Sequence, residues 1–117
     1  KRQLLYVGKR LIPLSYDFDM TGFVNPSYAT VNETLGIKSV RDRKYRGFKR
    51  DGSIIETVRQ LYISKKADLL SIVESHASQF DNQREYKETF KFLNSFYDII
   101  EDDKEYNSQI VAAARTK

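Results

Sequence analysis

The spacing of apolar residues changes once along the chain. From Gln3 to Phe23 the apolar positions come in short runs: Leu4-Leu5-Tyr6-Val7, then Gly8-Lys9-Arg10, then Leu11-Ile12-Pro13-Leu14-Ser15-Tyr16. That order predicts two short strands around a tight Gly-containing turn, a β-hairpin, with Pro13 placing the second strand at an edge. A loop of turn formers follows through Asn25-Pro26-Ser27 and Asn32. From Ser53 onward the period becomes helical. Ser53-Ile54-Ile55-Glu56 reads as a capping box, and Ile55, Val58, Leu61 and Tyr62 fall at helical spacing, continued by Ala67, Leu70, Val73 and Ala77. The pattern leaves open whether this is one helix or two meeting near Ser64-Lys65-Lys66. Asp81 is expected to cap a third segment, in which Tyr86, Phe90, Leu93, Tyr97 and Ile100 form an aromatic stripe of the kind a docked helix buries. Glu105 to Ala114 reads as a short terminal helix.

The expected class is α+β: an N-terminal β-hairpin, a charged loop, and three to four packed helices on which the hairpin rests. Residues 1–36 would hold the hairpin and an acidic loop, 37–52 a basic loop, and 53–117 the helices, as one domain or as the C-terminal part of a larger one. A chain of 117 residues has room for one ordinary domain, which excludes most complete two-lobed enzymes. Hydrophobic residues make up 40 % and charged residues 31 %, with Gly 5 and Pro 2, a globular composition with a real core. Cysteine is absent, which removes disulfides, thiolate nucleophiles and cysteine zinc sites but fixes no compartment. No apolar run approaches the roughly 18 residues of a membrane span. The chain begins at Lys1 rather than Met, and we expect a piece of a longer polypeptide.

The net charge of +4 matters less than its distribution. Arg41, Arg43, Lys44, Arg46, Lys49 and Arg50 crowd one short stretch with Asp42 as its acid, whereas residues 81–106 hold eight acids against four bases. Basic residues interleaved with Tyr45 and Phe48 suit phosphates or single-stranded nucleic acid. A solvated loop whose arginines pair with the acidic C-terminal half is the simpler account, and nucleic acid is not favoured because no recognised binding motif accompanies the cluster. His76 stands alone in the sequence and reads as a helix-surface or part-buried residue.

Candidate chemistry sits at Asp17 and Asp19. Two carboxylates two residues apart, after an apolar strand and before Thr21-Gly22, place hard oxygen ligands where an open loop admits a divalent cation and a phosphate. An EF-hand register fails because Tyr28 would fall where a bidentate carboxylate is required. The haloacid-dehalogenase pattern of an apolar strand followed by Asp-x-Asp-x-Thr fits the local string, with Asp17 as nucleophile and Asp19 as general acid. It lacks the further strands alternating with helices that this fold requires, and is the less favoured. The ordinary alternative is that both aspartates cap turns through nearby backbone.

A longer stretch carries a resemblance. Tyr16-Asp17-Phe18-Asp19-Met20-Thr21-Gly22-Phe23-Val24-Asn25-Pro26-Ser27-Tyr28-Ala29, followed by Ser39-Val40-Arg41-Asp42-Arg43-Lys44-Tyr45-Arg46-Gly47-Phe48, resembles a largely uncharacterised bacterial family common in Bacteroidetes. Its segment reads Pro-Tyr-Asp-Phe-Asp-x-x-Gly-x-Val-Asn, with Ser15 here in place of the proline, and the similarity extends through Phe96-Tyr97-Asp98-Ile99-Ile100. That family is in turn similar to spore-coat kinases of the CotH type and to kinase-like phosphotransferases. The resemblance implies part of a kinase-like C-terminal lobe of unknown substrate, with Asp17 as principal magnesium ligand and Asp19 as second ligand or orienter. Arg41, Arg43 and Arg46 would contact phosphate or substrate near the metal. ATP would bind only in a longer chain, since the other kinase parts would precede Lys1, and this piece alone would be inactive, with no catalytic residue of its own. An envelope or secreted location is compatible with the resemblance. The competing class is a non-catalytic binding or structural module whose acids organise the Arg-rich loop.

Overall fold

The computed structural model describes the backbone of Arg2–Val7 and Arg10–Ser15 and the whole of residues 21–116. It forms two units, Lys1–Asp42 and Arg43–Lys117.

In the first unit, Arg2–Val7 pairs antiparallel with Arg10–Ser15, Arg2 opposite Ser15 and Val7 opposite Arg10. Gly8 and Lys9, expected as the turn, lie outside the described residues, as do Tyr16 to Met20. The backbone then turns at Asn25, which takes a left-handed φ of 49° and donates its N–H to the Thr21 carbonyl at 2.8 Å. Asparagine is among the side chains that tolerate this region. A single 3₁₀ turn, Glu33–Leu35, starts at Asn32, whose Oδ1 accepts from the Thr34 N–H and hydroxyl, and stops at Gly36 with φ 66°.

The second unit is helical. Asp51 opens α1 (Gly52–Ser64) by accepting from the Ser53 N–H at 2.8 Å and its hydroxyl at 2.6 Å. Ser53 is therefore capped rather than capping, and Glu56 turns to Arg59 and Gln60 instead of closing a box. α1 breaks at Lys65 and α2 (Lys66–Ser75) follows, so the helical run is two helices. A 3₁₀ turn at Ala77–Gln79 leads to α3 (Gln83–Glu101), whose cap is Asn82 through Oδ1 and the Glu85 N–H, one residue beyond the expected Asp81. Asp102 ends α3 with extended backbone and caps the short α4 (Asp103–Tyr106), which runs into a π-helical turn at Asn107–Val111.

The core is where the aromatic stripe was expected. Leu93, Tyr97 and Ile100 of α3 are buried, packed by Ile63 of α1 and Leu69, Leu70 and Val73 of α2. Tyr97 is fully buried, and its hydroxyl donates to the Tyr62 carbonyl at 3.3 Å. That carbonyl lies at the α1–α2 break, where the Lys65 N–H is shared between the Leu61 and Tyr62 carbonyls.

The α+β class is overturned. Residues 21–116 contain no strand or sheet and are 59 % helix. The core of the second unit is closed by helix against helix. An α+β fold needs a sheet whose apolar face is covered by helices, and alternating runs around a turn do not by themselves supply one. Among the described residues no helix is long and apolar enough to cross a membrane.

Replacing Tyr97 by Ala should cost about 3–5 kcal/mol in urea unfolding, and by Phe about 1 kcal/mol, the worth of one hydrogen bond. Burial raises the ionisation of both Tyr97 and Tyr106 above the ordinary tyrosine value. Their neutral forms are thus favoured in the folded state, so this contribution is complete below the unfolded tyrosine range and is lost as pH rises through the folded values. A tyrosinate absorbance titration should show Tyr97→Phe and Tyr106→Phe removing late-titrating groups. Titration of all tyrosines together in the folded protein would contradict this.

Candidate anion-binding site

The arginines expected to act together are divided by role. Arg41 belongs to the first unit, half-buried, with Nε donating to the Gly22 carbonyl at 2.9 Å. Beside it Asp42 is used as a backbone cap, accepting from Lys38 N–H at 2.7 Å and Ser39 N–H at 3.1 Å. Arg43 opens the second unit and is spent on α3. Its Nη1 donates to Ser95 Oγ at 2.7 Å, its Nη2 to the Phe92 carbonyl, and its guanidinium lies 3.9 Å from the Phe92 ring centre. Burial holds the Arg43 ionisation below its ordinary value. Arg46 is exposed. Arg41 thus belongs to one unit and Arg43 and Arg46 to the other, and within the second unit Arg43 is an anchor. Asp17 and Asp19, the expected metal ligands, lie outside the described residues, and among those described no cluster of three or more His, Cys, Asp or Glu is placed to hold a metal ion. His76 is exposed at the end of α2, its Nδ1 2.7 Å from the Ile72 carbonyl.

Anchoring Arg43 starts a segment that does form a site. Tyr45 folds back across Gly47 so closely that a Cβ at Gly47 would collide with its ring. Gly47 and Lys49 then bond both sides of Arg115: the Arg115 N–H donates to the Gly47 carbonyl at 3.0 Å, and the Lys49 N–H donates to the Arg115 carbonyl at 2.8 Å. Between them the Phe48 ring carries the Arg115 guanidinium at 4.3 Å. This short bridge closes the C-terminal end of the chain onto the basic segment.

Behind the segment lies a cavity of about 310 Å³ walled by Tyr45, Phe48, Ile55, Tyr106 and Ile110, with Lys49 and Arg50 among its lining residues. Both cations are exposed. Tyr106 is buried and held by Arg59, whose guanidinium stacks 4.2 Å from its ring. Arg59 is itself fixed by the Ile100 carbonyl at 2.6 Å, Asp103 at 2.6 Å and Glu56 at 3.4 Å. The one carboxylate lining the cavity, Glu56, already serves Arg59 and Gln60. The π-helical turn contributes Asn107, Ile110 and Val111 to the wall, and such turns are frequent at functional sites. Aromatic walls with cations at the opening suit a ligand with a flat apolar part and an anionic group.

Sequence reasoning singled out Tyr45 and Phe48 between the basic residues but missed Gly47, Arg59 and Tyr106. Arg59 sits among apolar positions of α1, where a lone cation carries no signal of its partners 41 and 44 residues later. No known protein family, curated protein or solved structure matches the chain.

Arg43→Ala removes the bonds to Ser95 Oγ and the Phe92 carbonyl and uncovers the Phe92 ring, and should cost about 1–3 kcal/mol in chemical unfolding. Arg46→Ala should unfold with the wild-type midpoint. Equal loss from the two substitutions would mean that Arg43 is not the anchor.

Proposed function

We propose that the chain is a non-catalytic binding module, and that its second unit takes a small phosphate-bearing ligand with a flat ring in the cavity behind residues 45–50. The observation that carries this reading is the pairing of aromatic walls, Tyr45, Phe48 and Tyr106, with Lys49 and Arg50 in one cavity whose lining acid is already engaged. Phosphate is favoured over a neutral ligand because lysine and arginine supply charge-assisted donors, and an exposed cation gains most from a partner of opposite charge. The flat part is favoured by the aromatic lining of Tyr45, Phe48 and Tyr106. Arg43 supports the module by fixing the start of the segment, in place of the phosphate contact expected of it.

A second reading keeps the kinase-like resemblance: the Asp17-Phe18-Asp19 loop contributes a magnesium and phosphate site to a larger phosphotransferase of unknown substrate. It is carried by the sequence string, and Asp17 and Asp19 would be the metal ligands.

The two readings separate in a nuclear magnetic resonance titration with adenosine diphosphate, first without metal and then with magnesium. The module predicts metal-independent shifts at Tyr45, Phe48 and Tyr106, weaker binding at high salt, and a loss of about five- to tenfold for Lys49→Ala or Arg50→Ala, the scale of a solvent-screened charge contact. Shifts that need magnesium and centre on Asp17 and Asp19 would support the kinase-like site instead. Tighter binding of a single-stranded oligonucleotide than of the diphosphate, with a steep salt dependence, would move the reading to nucleic acid.

A further inference from the structure

The apolar positions of α1 are divided between two faces. Ile55, Arg59 and Ile63 are half-buried, with Ile63 packed on the core, whereas Val58 is 47 % exposed, Leu61 58 % and Tyr62 46 %, with Ile54 at 56 %. Successive helical residues turn by about 100°, so Ile54, Val58, Leu61 and Tyr62 share one arc of about 100°. Ser53, Thr57, Gln60 and Ser64 form the separate polar arc. α1 therefore has an apolar face directed at the core and a second apolar face open to solvent. A surface helix normally has one, and contiguous exposed apolar patches mark interaction sites.

The charges at the ends of this stripe identify its partner. Asp51 and Lys65 lie on the same arc, seven residues before and seven after Val58. The face is thus acidic at one end, basic at the other, and apolar between. Two copies laid antiparallel about Val58 place Val58 beside its own counterpart, Ile54 beside Tyr62 of the other copy, and Asp51 beside Lys65 of the other copy. The helix dipoles also oppose one another favourably in this arrangement. A parallel pair would set Asp51 against Asp51 and Lys65 against Lys65. Lys65 already pairs with Asp68 at 2.9 Å, an exposed contact that a second carboxylate can share.

We propose that the Ile54, Val58, Leu61 and Tyr62 face of α1 is the interface of a symmetric antiparallel dimer of this chain. The four half-exposed side chains offer on the order of 400 Å² per copy, below the roughly 800 Å² per partner of a standard stable interface. The dimer is accordingly weak and concentration-dependent. It is independent of the ligand reading, since none of these four residues lines the cavity behind residues 45–50.

Sedimentation equilibrium of the full chain from micromolar to millimolar concentration should show a reversible monomer–dimer transition. Val58→Glu, which sets two carboxylates at the symmetry axis, should raise the dissociation constant on the order of 100-fold, and circular dichroism should show its helix content unchanged. Because the chain has no native cysteine, Val58→Cys gives a second readout that does not depend on a damaging substitution: a short bis-maleimide should link it into covalent dimers, and should not link Gln60→Cys on the polar arc. A chain that stays monomeric at millimolar concentration would overturn the proposal. So would a dimer in which Gln60→Cys cross-links as well as Val58→Cys, or a monomer whose α1 face is protected by residues 1–42 of its own chain.

Discussion

Arg59 is the side chain on which the arrangement of the helical unit turns. It leaves α1, donates to the carbonyl of Ile100 at the end of α3, reaches Asp103 at the start of α4, and covers the ring of Tyr106. The buried hydrophobic residues among those described are Leu93, Tyr97, Ile100 and Tyr106. Three of them lie on α3, and the fourth is brought in by the Arg59 stack. A core so narrow gives each connecting interaction weight, since the net stability of any domain is a small difference between large opposing contributions. The guanidinium suits this position because its planar fork serves a carbonyl and a carboxylate at once while its face lies on an aromatic ring. A lysine could meet one of these demands at a time.

Tyr97 plays the matching part in the middle of α3. The α1–α2 break is a consequence of helical bonding, because the Lys65 N–H divides itself between two carbonyls and the ladder loses its regular order there. The Tyr97 hydroxyl meets the Tyr62 carbonyl at this point, so the bend that lets α1 and α2 both follow α3 is held by a core residue. Phe96 adds an edge-on contact with Tyr62, with ring centres 5.4 Å apart. Packing and backbone repair thus come from adjacent residues of one helix.

The sequence made α3 legible because its stripe repeats over many turns, and periodicity over that length has few alternative explanations. Helix starts were less legible. Asp51 and Asn82 won the caps expected of Ser53 and Asp81, since several Asp, Asn and Ser side chains compete within a few residues and the backbone angles decide among them. The α+β class failed for a different reason: short apolar runs around a turn at the N-terminus report local conformation, whereas fold class depends on which faces are buried. The spacing of apolar residues in α1 likewise does not say which of them face the core. Hydrophobicity points to Val58 and Leu61, but Arg59 has three acceptors and a ring waiting on one side, and all of these except Glu56 are distant in sequence. Of the site, the aromatic and basic residues at 45–50 could be read from the string, while the wall behind them depended on the Arg59 stack.

The acidic C-terminal half does not neutralise the basic segment in the way its composition suggests. Five of its carboxylates are engaged within the helical unit: Asp103 to Arg59, Glu101 to Lys66, Glu88 to Arg84, Asp102 to the first turn of α4, and Glu105 to Gln109. Three of these pairings lie within four residues, the spacing at which a helix presents neighbours, and the two with Arg59 and Lys66 join separate helices. Arg43, half-buried within the helical unit, finds its partners in a carbonyl, a hydroxyl and a ring. Positive charge at Lys49 and Arg50 is therefore left exposed at the aromatic cavity they line. A surplus of cations beside a preformed apolar wall creates an attraction for anions that the net charge of the chain alone would not specify, because field and shape coincide at one opening.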